Sequence, residues 1–105
     1  MSITVSVMYP NTAGSTFDMD YYLGTHSPLV REKWSGMGMS SLKVIKGLAT
    51  PDPATPPPYQ VVALLEFDDL ASFQAAVAAS GAEVMGDIPN FTNVSPAVQI
   101  SENIV

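Results

Sequence analysis

The stretch that decides the fold is Tyr59-Gln60-Val61-Val62-Ala63-Leu64-Leu65-Glu66-Phe67. It is rich in the β-branched and aromatic residues that favour strands. Its two alternating sets of side chains are both largely apolar: Val61, Ala63, Leu65 and Phe67 on one side, Val62 and Leu64 on the other. A strand with this pattern lies inside a sheet whose two faces are both covered. The sequence therefore predicts a central strand here, and whatever covers its two faces must come from the rest of the chain or from a second copy.

Alternation of apolar and polar residues predicts three further strands. The first runs over 3–9, the second over about 41–48, and the last over about 92–101, where Pro96 marks an edge or a bulge. The proline-rich segment 50–58 joins the second and third strands. Because proline cannot donate to a sheet ladder, this segment is predicted to be extended and exposed.

Two helical pieces are predicted between the first two strands, over about 18–25 and 28–35. Pro28 lacks a backbone N–H and would remove a hydrogen bond from a continuous helix. We therefore expect the chain to hinge at His26, with Ser27 as the cap of the second piece and Pro28 in its first helical position.

Aspartates mark the start of the first helical piece and of a later helix. Asp18 is the predicted N-cap of the first piece. After the third strand, Asp68 or Asp69 is the predicted cap of a helix that Ser80-Gly81 closes.

The predicted order is strand, helix, strand, strand, helix, strand. Right-handed crossovers then favour the ferredoxin-like βαββαβ arrangement, an α+β fold in which a four-stranded antiparallel sheet carries both helices on one face. At 105 residues the chain is expected to form a single domain, 1–105. Because the helices cover one face only, we expect a homodimer that covers the other face.

Composition excludes several classes of function. The formal charge of −6 and only four Lys and Arg residues make nucleic acid an improbable partner. Zero cysteine excludes disulfides and thiolate catalysis. No apolar run approaches the roughly 20 residues of a membrane span, so no membrane partner is expected. The first residues lack the basic and apolar regions of a signal peptide, so a cytoplasmic location is expected.

His26 is the only histidine and the best candidate for chemistry. Imidazole, with an unperturbed pKa of roughly 6.5, exchanges protons near neutrality. Tyr22 lies four residues earlier on the same helix face and is the predicted orienting partner or second donor. One His and no Cys give no metal site of the usual kind, so no metal is expected. The structural alternative is that His26 binds the carbonyl of Gly24, freed by Pro28, and performs no chemistry.

Further residues are candidates for binding a substrate, although each has an ordinary structural explanation. Aromatic side chains on the sheet and helices are as compatible with a core as with a ligand wall, and the segment before the last strand carries an acid and an amide. In the predicted topology the last strand begins beside the end of the first, near Phe17 and Asp18. Because His26 lies roughly 12 Å further along the helix from Asp18, direct pairing of Asp87 with His26 is not expected. The candidate substrate-binding residues are Tyr9, Phe17, Trp34, Asp87, Asn90 and Phe91.

Two motifs resemble a known family. The stretch Phe17-Asp18-Met19-Asp20-Tyr21-Tyr22-Leu23-Gly24-Thr25-His26-Ser27-Pro28-Leu29-Val30 and the stretch Asp87-Ile88-Pro89-Asn90-Phe91-Thr92 are similar to the signature of the EthD family. That family is named for ethyl tert-butyl ether degradation and belongs to the dimeric α+β barrel superfamily. The family commonly has Met where this chain has Ser27. The resemblance implies a ferredoxin-like subunit and a barrel-forming dimer.

The resemblance leaves the reaction open, because function depends on the site. Relatives in the superfamily include cofactor-free monooxygenases, muconolactone isomerases, polyketide cyclases, decarboxylases and heme peroxidases. The leading hypothesis is a cofactor-independent enzyme with His26 as general acid or base, acting on a small apolar carbonyl or aromatic compound as an oxidoreductase or as an isomerase, cyclase or decarboxylase. The alternatives are a non-catalytic binding or accessory protein and a purely structural dimer. Heme is disfavoured because few basic residues are available for its propionates.

Overall fold

Strand β3 (Tyr59–Phe67) lies inside the sheet, as its sequence predicts. A computed structural model describes residues 1–105. The other strands are β1 (Ile3–Pro10), β2 (Met39–Lys46) and β4 (Ala97–Glu102). The order across the sheet is β2-β3-β1-β4, and each neighbouring pair is antiparallel. With the helices described below, this is the ferredoxin-like α+β fold, and that prediction is confirmed.

The first helical region is one continuous run, not two hinged pieces. It consists of α1 (Met19–Tyr21), a π-helical segment (Tyr22–His26), and α2 (Ser27–Trp34). In the π segment the Ser27 N–H donates to the carbonyl of Tyr22. This wider turn shifts the hydrogen-bond ladder by one residue, so the helix passes Pro28 without a break. The predicted hinge at His26 is therefore wrong.

The predicted caps are correct in two places and wrong in two. Asp18 accepts from the N–H of Tyr21, and Asp69 caps α3 (Leu70–Gly86). Ser27 is not a cap, because its φ of −62° and ψ of −43° are helical. Helix α3 also continues past Gly81 to Gly86, since Gly81 keeps a negative φ and its neighbours include alanines, the strongest helix formers.

Buried side chains between the helices and the sheet form two clusters. The smaller one, which we call the aromatic cluster, consists of Tyr9, Tyr22, Val61, Ile88 and Phe91. The larger one, which we call the main core, consists of Ile3, Val5, Val30, Trp34, Met39, Ala63, Leu65, Phe67, Ala76 and Val84.

The opposite face of the sheet is only partly covered. The strand register places Ile45, Val62, Met8 and Ala97 side by side in one apolar row across all four strands. Met8 and Val62 are partly buried, whereas Ala97 and Ile45 are exposed, Ile45 at 42%. Elsewhere in the molecule, none of the helices has both the length and the apolar character that crossing a membrane requires.

Candidate functional site

His26 is the last residue of the π segment and is buried, at 4% exposure. Its ring stacks on that of Tyr22, with ring centroids 5.3 Å apart. The ring of Phe91 packs against it at 4.7 Å. The imidazole is therefore fixed in position by the aromatic cluster rather than free in solvent.

Asp87 binds His26 directly, which corrects the prediction that the two are too far apart. Their Nδ1 and Oδ2 atoms lie 2.9 Å apart. The predicted separation assumed that Asp87 lies beside Asp18. Instead Thr92 pairs with Phe17, and the chain from Asp87 to Thr92 turns back along the helix through a 3₁₀ turn. That return path brings Asp87 next to His26.

Tyr21 and Asn90 hold the carboxylate of Asp87 in place. The Tyr21 hydroxyl donates to Oδ1 at 2.6 Å, and Nδ2 of Asn90 donates to the same oxygen at 3.0 Å. Oδ2 is left for His26. Tyr21 is absent from the residues that the sequence predicts for the site. Its distance of five residues from His26 matches a π turn, but nothing in the sequence distinguishes a π turn from an α turn.

Hydrogen bonds decide the charge state of this network. Burial raises the pKa of Asp87, but the hydrogen bonds from Tyr21, Asn90 and His26 outweigh it, so the pKa lies below its ordinary value. The same bond to Asp87 raises the pKa of Tyr21. Asp87 is therefore ionised and Tyr21 neutral at physiological pH. A carboxylate has no proton to donate, so Nδ1 of His26 carries the hydrogen of their bond.

A cavity of about 320 Å³ lies between the helices and the sheet, with His26 in its wall. Fifteen of its eighteen lining residues are hydrophobic. Burial raises the pKa of Tyr22 in this wall to about 12 and also raises that of Tyr9. Neither phenol therefore ionises near neutral pH. The lining residues are Val5, Val7, Tyr9, Tyr22, His26, Ser27, Val30, Trp34, Leu42, Ala63, Leu65, Phe73, Val77, Gly81, Val84, Met85, Ile88 and Val98.

The sequence-predicted substrate residues divide between the cavity and its surroundings. Tyr9 and Trp34 line the cavity, as do the two predicted catalytic residues. Asp87 lies behind His26 and does not line it. Phe17, Asn90 and Phe91 line a separate, more open groove on the surface. The predicted role of Tyr22 changes as well, because Asp87 and not Tyr22 is the hydrogen-bonding partner of His26.

The contact that the structural alternative predicts for His26 is not the one its Nδ1 makes. Its Nδ1 bond goes to Asp87, not to the carbonyl of Gly24. No group of three or more His, Cys, Asp or Glu side chains is arranged to hold a metal ion. The arrangement is suited to proton transfer, because an ionised carboxylate orients an imidazole in the wall of a cavity.

The chain matches a family model over most of its length. The model of the EthD domain matches residues 15–95. This range includes both helical regions and the two motifs that carry His26 and Asp87. The chain belongs to the EthD family.

One solved structure supports the same assignment, and two more distant ones share the fold. An EthD-like protein from Ralstonia eutropha JMP134 is 39% identical, with a TM-score of 0.92, over 99% of this chain and 93% of that one. An ethyl tert-butyl ether degradation family protein from Bacillus halodurans C-125 is 21% identical, with a TM-score of 0.69, over 99% of this chain and 100% of that one. SnoaB from Streptomyces nogalater, a cofactor-independent oxygenase, shares the fold at 9% identity, with a TM-score of 0.63, over 99% and 93%. No curated protein gives a significant match.

Proposed function

We propose that this protein is a cofactor-independent enzyme that acts on a small, largely apolar carbonyl or aromatic compound, with His26 as its general acid or base. One observation carries the proposal. The imidazole of His26 lies in the wall of an apolar cavity, and a buried carboxylate binds its Nδ1 at 2.9 Å. An ionised carboxylate that orients an imidazole in a cavity wall is typical of sites of acid–base catalysis.

The proton transfer follows from the hydrogen-bond pattern. Because Nδ1 donates to Asp87, the neutral ring carries its lone pair on Nε2. Asp87 does not line the cavity, so the ring edge with Nε2 is the one available to a substrate. Nε2 takes a proton from a carbon next to a carbonyl or from a phenolic oxygen, and the carboxylate of Asp87 stabilises the imidazolium. Base catalysis of this kind contributes about 10²- to 10⁴-fold.

The comparison with SnoaB supports a reaction without a cofactor. SnoaB is a cofactor-independent oxygenase with the same fold, although at 9% identity it shares the fold alone. A substrate carbanion or phenolate formed by His26 would be able to react with oxygen or to rearrange. The first route is that of a monooxygenase, and the second is that of an isomerase, cyclase or decarboxylase.

The second candidate is a binding or accessory protein that carries a small apolar molecule without changing it. The observation in its favour is the lining of the cavity, in which fifteen of eighteen residues are hydrophobic. Such a wall binds apolar surface well but offers few groups for chemistry.

A screen of ketones, quinones and phenols separates the two candidates. Compounds that raise the unfolding temperature are tested for deuterium exchange at carbon by NMR and for oxygen uptake. We expect turnover in the wild type and a loss of about 10²- to 10⁴-fold in His26→Ala. Ser35→Ala, at an exposed position just after α2, is the control and retains turnover. Compounds that bind but never react, or equal rates in His26→Ala, would favour the carrier.

The functional unit that we propose is a homodimer joined through the open face of the sheet. The apolar row of Ile45, Val62, Met8 and Ala97 would meet its copy there. Light scattering is expected to give about twice the chain mass of 11.1 kDa. Val62→Lys is expected to give aggregate or unfolded chain, whereas Ala78→Lys, on the exposed side of α3, remains dimeric. A stable wild-type monomer at micromolar concentration would contradict the dimer.

A further inference from the structure

The hydroxyl of Ser27 is a buried polar group without a partner. It is the one buried side-chain nitrogen or oxygen that makes no hydrogen bond in the chain. Ser27 is 6% exposed, and it lines the cavity immediately after His26 in the sequence. A hydroxyl taken out of water without a partner is unfavourable for folding.

The local backbone does not explain this hydroxyl. A serine inside a helix often bonds back to the carbonyl four residues earlier, but Ser27 does not. Its helical dihedral angles also exclude a capping role. In a wall that served only to pack, an alanine at this position would be at least as stable, because it leaves nothing unsatisfied. The hydroxyl is therefore better explained by a ligand than by the fold.

The rest of the wall defines what such a ligand carries. Trp34 already donates its indole N–H to the carbonyl of Ala76 at 3.1 Å. No lysine or arginine lines the cavity, so no permanent positive charge there compensates a carboxylate or a phosphate. Besides Ser27, the polar groups that the wall offers are the imidazole of His26 and the phenol hydroxyls of Tyr9 and Tyr22.

We infer that Ser27 is a specificity-determining residue whose hydroxyl binds the oxygen of an uncharged ligand, a compound with a single carbonyl or hydroxyl group on an apolar body. A hydroxyl both donates and accepts, so it serves a ketone and an alcohol alike. That oxygen then lies in the same cavity as the imidazole of His26. The consequence for catalysis rests on the proposed function, whereas the binding role does not.

Binding to a matched pair of probes tests this inference. The single tryptophan, Trp34, lies in the cavity wall, so its fluorescence reports occupancy. Cyclooctanone and cyclooctane are titrated against the wild type, Ser27→Ala and the exposed control Ser35→Ala. We expect Ser27→Ala to weaken cyclooctanone binding by about 3- to 10-fold, the usual effect of one neutral hydrogen bond, and to leave cyclooctane unchanged. We expect no change for either probe in Ser35→Ala.

Thermal unfolding without ligand gives an independent readout. Because Ser27→Ala removes an unsatisfied group, its unfolding temperature is expected to equal or exceed that of the wild type. A lower unfolding temperature would show that the hydroxyl serves the fold and would overturn the inference. Equal weakening of both probes, weakening of neither, or no binding to the wild type would overturn it as well.

These outcomes are distinguishable from failure of the proposed function. The titrations need no turnover, and the function is tested by His26→Ala. A carrier that never reacts but prefers cyclooctanone through Ser27 would support the inference while contradicting the catalytic role of His26.

Discussion

The main core and the aromatic cluster lie between the same helices and the same sheet, yet they differ in what surrounds them. The main core packs Trp34 and Phe67 edge to face at 6.0 Å, and it contains no ionisable side chain. The aromatic cluster packs Phe91 against His26, whose other side binds an ionised Asp87. One end of the sheet is organised for stability, and the other is organised around an imidazole that a carboxylate holds in place.

The helical geometry changes between these two regions. The side chains that α2 contributes to the main core, Val30 and Trp34, come from regular α-helix. The side chains beside Asp87 come from the π segment and the residue before it. π turns are rare in proteins as a whole, and those that occur are often found at functional sites. This difference predicts that substitutions in the main core mainly change stability and that substitutions beside Asp87 mainly change activity.

The largest expected effect is in the main core. Phe67 is completely buried, so Phe67→Ala is expected to lower the free energy of unfolding by about 3–5 kcal/mol. Phe17→Ala, at a partly buried position beside the aromatic cluster, is the control and loses less. Urea denaturation curves measure both. A loss below about 1 kcal/mol in Phe67→Ala would remove the contrast between the two ends.

The next effect concerns activity. Asp87→Asn keeps the shape of the side chain but removes the charge of the carboxylate that orients His26. We expect turnover to fall by about 10- to 100-fold, the equivalent of one hydrogen bond to a charged group. Steady-state rates on the substrate found by screening measure the change. Unaltered rates would show that the carboxylate only holds the fold together.

A smaller effect is expected for the stability contribution of His26. His26→Ala removes a donor from Asp87, so it is expected to lower the free energy of unfolding by about 1–3 kcal/mol. His26→Gln keeps a donor at similar reach and is expected to recover part of that loss. Neither variant recovers turnover. Recovery of both properties in His26→Gln would contradict proton transfer by the imidazole.

The smallest expected effect is the pH dependence of stability. Because the folded pKa of Asp87 is lower than the unfolded one, ionised Asp87 stabilises the fold at and above neutral pH. This contribution is lost as pH falls from about 4, the ordinary carboxyl pKa, through the lower folded value. Denaturation between pH 2 and 7 is expected to show a steeper loss in the wild type than in Asp87→Asn. Parallel pH dependences of stability in the two proteins would contradict a stabilising role for ionised Asp87.

Much of the fold was predictable because local pattern and tertiary structure agree. β3 alternates over the predicted range, and Asp18 and Asp69 cap helices as expected. The prediction fails at Pro28, where an α-helix would have to end. A π turn removes that conflict, but its stability comes from tertiary packing that no short-range pattern reveals.

The site was only partly predictable for a related reason. His26 stands out by its chemistry, because it is the only side chain of its kind. Its partner Asp87 lies 61 residues further along the chain, and it lies 66 residues from Tyr21, which binds the same carboxylate. Only the return path from Asp87 to Thr92 brings them together. The sequence has no signal for the course of that path, so Asp87 is predicted to lie beside Asp18 and too far from His26.

The π segment also has an evolutionary consequence. Deleting one residue between Tyr22 and His26 would restore a regular α-helix and rotate the preceding turn by about 100° relative to α2. Val30 and Trp34 would stay in the main core, so the shortened protein would still be expected to fold. Tyr21 would turn away from Asp87, however. A homologue that lacks this one residue should therefore have diverged at position 87 as well, so insertion length and site chemistry would be inherited together.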